Sequence, residues 1–177
     1  FHSTDKWLYG IQIGADLKPG KNFDAKVGAA LYYFDGVAGR MSTPYTPLTA
    51  ADQGDTDNLR PSFAQRGNTY MPLRYITPDV NNNFGKINQW QYYGLATGFS
   101  ELAFSGRLDY NGFEPFQVSL TGEFVKNLAF RKNSIESVAV NNRGPNTAAG
   151  ALGKFEGSDI GWNVNLRVGN AVLAKRG

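Results

Sequence analysis

PFQVSLTGEFVKN, residues 115–127, alternates apolar and polar side chains along its length. Phe116, Val118, Leu120, Gly122 and Phe124 share one side, while Gln117, Ser119, Thr121, Glu123 and Val125 share the other. Successive side chains of a strand point to opposite faces, so a period of two predicts a strand with one apolar and one mostly polar face.

The same pattern recurs outward in both directions. Downstream, DIGWNVNLRVGN sets Ile160, Trp162, Val164, Leu166 and Val168 opposite Gly161, Asn163, Asn165 and Arg167. Upstream, KWLYGIQIGADLK places Trp7, Tyr9, Ile11, Ile13, Ala15 and Leu17 on one face, and FDAKVGAALYYFD does so with Phe23, Ala25, Val27, Ala29, Leu31 and Tyr33. PGKN between these two supplies a tight turn, which predicts a hairpin. In NQWQYYGLATGFSELAFSGRLDY, Trp90, Tyr92, Leu102, Phe104, Leu108 and Tyr110 fall on the even face, while Tyr93, Leu95 and Phe99 make the odd face apolar in the middle. Gln89 to Tyr110 therefore reads either as one long bent strand, the preferred reading, or as two strands joined near Gly98 to Glu101. Strands are thus expected at Lys6–Lys18, Phe23–Asp35, Gln89–Tyr110, Phe116–Lys126 and Asp159–Val168, with negligible helix.

The connections come in two lengths. PGKN, NGFEP and the terminal AKRG are short; residues 36–88 and 126–157 are long and rich in Gly, Asn, Pro and Thr. Loops beyond ~15 residues are uncommon in compact domains and call for a function or structure of their own. Outer-membrane barrels carry short turns at one end and long loops at the other.

Composition narrows the class. In 177 residues there are 41% hydrophobic, 19% charged and 14% aromatic residues and 21 glycines, which fits a folded, turn-rich all-β chain better than disorder or helix. The net charge of +3 comes from 18 basic and 15 acidic residues that are interspersed, so no basic footprint for nucleic acid exists. There is no cysteine. A spanning helix needs ~20 apolar residues, and the longest apolar run, Val27 to Phe34, is far shorter. Position 1 is Phe, and no signal-type segment stands near it, so the chain reads as a portion of one barrel domain truncated at both ends.

A soluble β sandwich also alternates. The polar face decides between them: it is rich in Gly, Asn, Gln, Ser and Thr, with isolated ions at Asp16, Lys26, Arg107, Glu123 and Arg167, as in a water-filled lumen. Trp7, Tyr9, Tyr33, Trp90, Tyr92, Tyr110 and Trp162 stand near strand ends, where amphipathic rings rest at headgroup level. The expected architecture is all-β, an antiparallel transmembrane β-barrel portion that is open as given, because a membrane barrel needs about 8 strands or more.

Four strings are more specific than alternation: LRPSFAQRGNTYMPLR from Leu59, FGKINQWQYYGLATGF from Phe84, FEPFQVSLTGEFVKNLAF from Phe113, and NNRG at Asn141. With them the chain, from about Trp7 to its end, resembles a bacterial family of outer-membrane porins. The resemblance implies a Gram-negative outer-membrane location and passive passage of small hydrophilic solutes. Expected partners are outer-membrane lipid and those solutes, with no nucleic acid; self-association into a homo-oligomer stays open.

The pore wall is expected to be lined by Gln12, Asp16, Lys26, Arg107, Asp109, Gln117, Glu123 and Arg167. A loop constriction would draw on Arg40, Arg60, Arg66, Arg74, Asp52, Asp55 and Asp57 if the first long loop enters the lumen, where a charged ring dominates selectivity. DQGDTDN lacks the glycine at position six and the terminal glutamate of an EF-hand loop, so no metal is expected. His2 is the sole histidine, at the chain end, and no triad, Walker loop or dinucleotide fingerprint occurs; neither enzyme activity nor a cofactor is expected. The competing expectations are a soluble carbohydrate-binding module whose aromatics stack on sugars, and a barrel serving as surface anchor or adhesin.

Overall fold

A computed structural model describes residues 5–52, 54, 55, 61, 62 and 64–170. Among them the chain forms β1 (Trp7–Gly20), β2 (Phe23–Asp35), β3 (Tyr70–Pro72), β4 (Tyr93–Leu95), β5 (Phe99–Phe113), β6 (Phe116–Asn127) and β7 (Ile160–Asn170). One α-helix, α1 (Lys132–Val138), and two 3-10 segments, Val80–Gly85 and Asn88–Trp90, complete the elements. Among the described residues no helix is long and apolar enough to cross a membrane. The terminal AKRG turn lies outside the described residues.

Contacts divide the chain into two compact units. One, made of Tyr9–Tyr33, Ser100–Leu128 and the chain from Asp159, is the strand sheet. Its order is β1-β2-β5-β6-β7, so chain neighbours are also sheet neighbours and the two edge strands each pair on one side only. The β5–β6 ladder runs antiparallel from Glu101↔Asn127 to Tyr110↔Val118, and β6–β7 from Lys126↔Ile160 to Phe116↔Asn170. Short turns join β1 to β2 and β5 to β6; long connections join β2 to β5 and β6 to β7.

This register keeps the two faces separate. Leu108↔Leu120↔Leu166, Phe104↔Phe124↔Trp162 and Gly106↔Gly122↔Val164 form rows on the apolar face. Tyr9 stacks on Tyr33, and Phe23 packs on Tyr110 at 4.7 Å, so the apolar faces of β1, β2 and β5 fall in line. On the opposite face the Tyr32 ring covers Gly10, where an added Cβ would lie 2.8 Å from the ring. Aromatic cover of a strand glycine pins the register.

The second unit, residues up to Leu8 with Phe34–Phe99 and Ala129–Ser158, is built almost entirely from the long connections. Here a set of apolar side chains is fully buried, Leu73, Leu95, Ile135 and Phe155 being at most 1% exposed, while others such as Leu48, Val80 and Leu152 stay at the surface. Ile135 of α1 and Ala139, the residue that caps its C-terminal end, pack with Phe155, and Phe130 and Ala96 close around them. β3 pairs with β4, and α1 packs against β3. The link is reinforced by Val140 N–H to the Tyr70 carbonyl at 2.9 Å, and by Asn141, which accepts from Tyr70 N–H at 2.7 Å and donates to the Asn68 carbonyl at 2.8 Å. Arg143 holds the end of α1, donating to the carbonyls of Ala139, Gly153 and Glu136. Gly36 turns the chain out of β2 at φ +69, with the Asp5 carbonyl so close that a Cβ would stand 2.7 Å away.

Of the two readings of Gln89–Tyr110, the preferred single bent strand does not form, and the chain breaks between Leu95 and Phe99, beside the Gly98–Glu101 joint of the other. Asn88–Trp90 is a 3-10 turn, β4 belongs to the small sheet with β3, and only from Phe99 does the chain join the main sheet. Trp90 is 6% exposed, and Tyr92 lies under the Arg74 guanidinium at 3.6 Å, so neither ring belongs to a strand-end girdle. Their alternation arises because the aromatics fill the loop unit's interior, a demand that imposes no strand period.

Candidate functional site

The polar face of the sheet carries the expected wall residues in cross-strand rows. β5 sets Ser105, Arg107 and Asp109 opposite Glu123, Thr121 and Ser119 of β6, which in turn face Asn163, Asn165 and Arg167 of β7. Gln117 faces Gly169 nearer the short turns.

Almost every charge on this face has a partner within reach. Arg107 Nε donates to both carboxylate oxygens of Asp109 at 2.8 and 3.0 Å, and the Ser119 hydroxyl donates to the same carboxylate. Asp109 and Ser119 are buried by their neighbours. Lys26 Nζ stands 3.4 Å from Asp16, with both side chains largely exposed. Asn163 donates to Glu123 at 2.8 Å, and Asn111 to Asp24 at 3.2 Å. Exposed pairs such as Lys26–Asp16 contribute about 0–1 kcal/mol, so their effect is local field rather than stability.

An open groove of about 310 Å3 runs across this face, lined by Gln12, Lys26, Ser105, Arg107, Thr121 and Glu123 around Gly14 and Gly28. Four of the eight expected wall residues line it: Gln12, Lys26, Arg107 and Glu123. Asp16 and Asp109 stand behind the two cations, and Gln117 and Arg167 share the face outside the groove. Ser105 and Thr121 were not singled out from sequence. The alternation had put them on this face, and Gly14 and Gly28 on the same face were the signal that space opens beside them.

The loop charges behave differently. Arg74 is 2% exposed; its Nη1 donates to the Trp90 and Ala50 carbonyls at 2.8 and 3.2 Å, and its guanidinium lies on the Tyr92 ring. It is a packing centre of the loop unit with little charge to offer a solute. Asp52 accepts from Leu48 N–H at 2.7 Å, Thr49 N–H at 3.0 Å and the Thr49 hydroxyl at 3.0 Å, and these bonds hold its carboxyl below the usual range. The Tyr45 hydroxyl donates to the Asp52 carbonyl, and burial pushes its phenol above the ordinary value. Asp55 accepts from Thr43 N–H. Arg40 and Arg66 are exposed, while Asp57 and Arg60 lie outside the described residues. No group of three or more metal-ligating side chains occurs among the described residues.

Neither a curated protein nor a solved structure gives a significant match to the chain. Against protein families the outcome is different: over residues 1–177 the chain matches, and so belongs to, the family described as "Putative porin".

Proposed function

We propose that the chain is part of an outer-membrane channel of a Gram-negative bacterium, non-enzymatic, through which small hydrophilic solutes diffuse passively. One observation supports this above all: the unbroken apolar face of the five-stranded sheet is exposed, with Ile13, Val164 and Leu166 each about two-thirds accessible. A buried Leu, Ile or Val contributes ~1.5–3 kcal/mol, and a soluble module would not forgo that at every strand. Lipid supplies the missing contact. This disfavours the sugar-binding soluble module.

Dimensions agree. Phe23 and Tyr33 bracket the aliphatic stretch of β2. Ten rises of about 3.3 Å, tilted by about 45°, give a height of roughly 23 Å, against about 25 Å for the apolar band of outer-membrane barrels. Lys126, on the apolar face at the loop end, pairs with Asp159 at 3.8 Å, as befits a headgroup boundary. With lipid on one face, the polar face with its paired charges lines water. A role as surface anchor or adhesin draws support from the separately packed loop unit, and differs only in whether the lumen conducts.

The test is a planar-bilayer recording of the intact protein. Stepwise single-channel currents are expected; their absence from a demonstrably folded barrel would leave the anchor role.

A further inference from the structure

The polar face has a hole in its side-chain cover. A Cβ on Gly14 would stand 3.1 Å from the Val27 carbonyl oxygen and 3.9 Å from Gly28 Cα, and one on Gly28 would stand 3.0 Å from the Ser105 hydroxyl. The floor is therefore backbone, and the groove above it has a volume of about 310 Å3. At ~30 Å3 per liquid water, that is room for a solute displacing several waters.

The rim is uneven in charge. Lys26 and Arg107 lie on the adjacent strands β2 and β5 and both line the groove, whereas their acids Asp16 and Asp109 do not. Like charges on neighbouring strands are unfavourable, and here each is offset from behind. The offset is incomplete. Arg107 meets Asp109 through Nε alone, so its two Nη groups have no protein partner among the described residues. The 3.4 Å Lys26–Asp16 contact is long for a charge-assisted bond, normally about 2.7–2.9 Å. Glu123 is the single acidic lining residue, and Asn163 already donates to it. Ser105, Thr121 and Gln12 add two hydroxyls and an amide.

We propose that this groove is a binding subsite for a small hydroxylated organic acid, its carboxylate bridging Lys26 Nζ and the Arg107 Nη groups and its hydroxyls meeting Ser105, Thr121 and Gln12. The subsite deepens the channel reading and rests on it for passage, but binding itself needs no conduction. A guanidinium tied back through Nε presents its outer N–H groups in a fixed fork, the geometry that suits a carboxylate. Affinity is modest by construction, because Lys26 and Arg107 keep 65% and 49% of their side-chain surface in solvent. A transported solute must leave as readily as it enters.

The probes are glucuronate and glucose, alike in size and differing in the carboxylate. Isothermal titration of the intact protein folded in detergent should give saturable heat with glucuronate, weakened by added salt, and none with glucose at the same concentration. Lys26→Gln should weaken glucuronate binding about tenfold, the worth of one charged hydrogen bond. Lys26→Arg should retain it. Equal binding of the two sugars, salt-independent binding, or full affinity in Lys26→Gln would each overturn the subsite; the first two need no variant to fold. In planar bilayers glucuronate should briefly interrupt the current where glucose does not. A conducting barrel that binds no glucuronate removes the subsite and keeps the channel, whereas one that binds glucuronate without conducting keeps the subsite and removes the channel.

Discussion

The sheet and the loop unit solve opposite problems with the same alphabet. In the sheet, Leu, Ile, Val and Trp side chains stand exposed, and the groups that are buried are a carboxylate and a hydroxyl, Asp109 and Ser119. The loop unit, although it too exposes Leu48, Val80 and Leu152, has an ordinary apolar core, with Leu73, Leu95, Ile135 and Phe155 inside. Burial is favourable relative to the surrounding solvent, so the difference is what the proposed channel requires: hydrocarbon against the sheet's apolar face, water around the loops. Polarity alone would not separate the regions, since both mix apolar and polar residues freely.

The sharpest test is to open a hole in the loop core. Leu73→Ala removes a side chain with no exposed surface, and should destabilise the loop unit by about 2–5 kcal/mol. Amide hydrogen exchange should accelerate across residues 36–98 and 130–155 while β5 and β6 amides keep their protection. Equal acceleration in the strands would mean that the two regions share one core.

A slightly smaller effect is expected from charging the sheet's apolar face. Leu120→Arg should cost about 2–4 kcal/mol in denaturant titrations of the protein in lipid vesicles, while Thr121→Arg, one residue on, should cost little. Similar losses at both positions would show that neither face meets lipid, and the contrast of solvents would collapse.

Polar fastening of the loops comes next. Asn141→Ala leaves the Tyr70 N–H and the Asn68 carbonyl without their partner, and should cost about 1–3 kcal/mol, again read by exchange in the loop unit alone. The smallest effect concerns pH. Asp52 titrates below its ordinary value in the folded state, so its contribution is fully present above about pH 4 and is lost as pH falls through the lower folded value. Asp52→Asn should flatten that acid limb by lowering loop stability at neutral pH, where the charged acceptor contributes, toward the value found in acid.

Strand legibility differed between the regions for a physical reason. In the proposed channel β1, β2, β6 and β7 lie between two uniform environments, so every second residue answers to the same solvent and the period is written into the chain. The four matching segments, Phe23–Asp35 to the residue, follow from that. Loop-unit residues answer to partners distant in sequence: Tyr70 meets Asn141, and Ile135 meets Phe155. No local period encodes such contacts, and QWQYY imitated one only because three large aromatics crowd a short stretch. The polar face of the candidate site was legible residue by residue, yet its groove was not. Depth there depends on Gly14, Gly28 and Ser105 being neighbours across three strands, which only the register reveals.

The Tyr70–Asn141 junction reaches beyond stability. One side belongs to the connection between β2 and β5, the other to the connection between β6 and β7, so the two long loops share a single interior. Surface loops usually diverge independently, each free to lengthen or be replaced. Here a graft of one loop from a relative would bring half an interior to a partner cut for another shape. Lineages should therefore exchange these two segments together, as a matched set, and a recombination breakpoint falling between them should be rare among viable descendants.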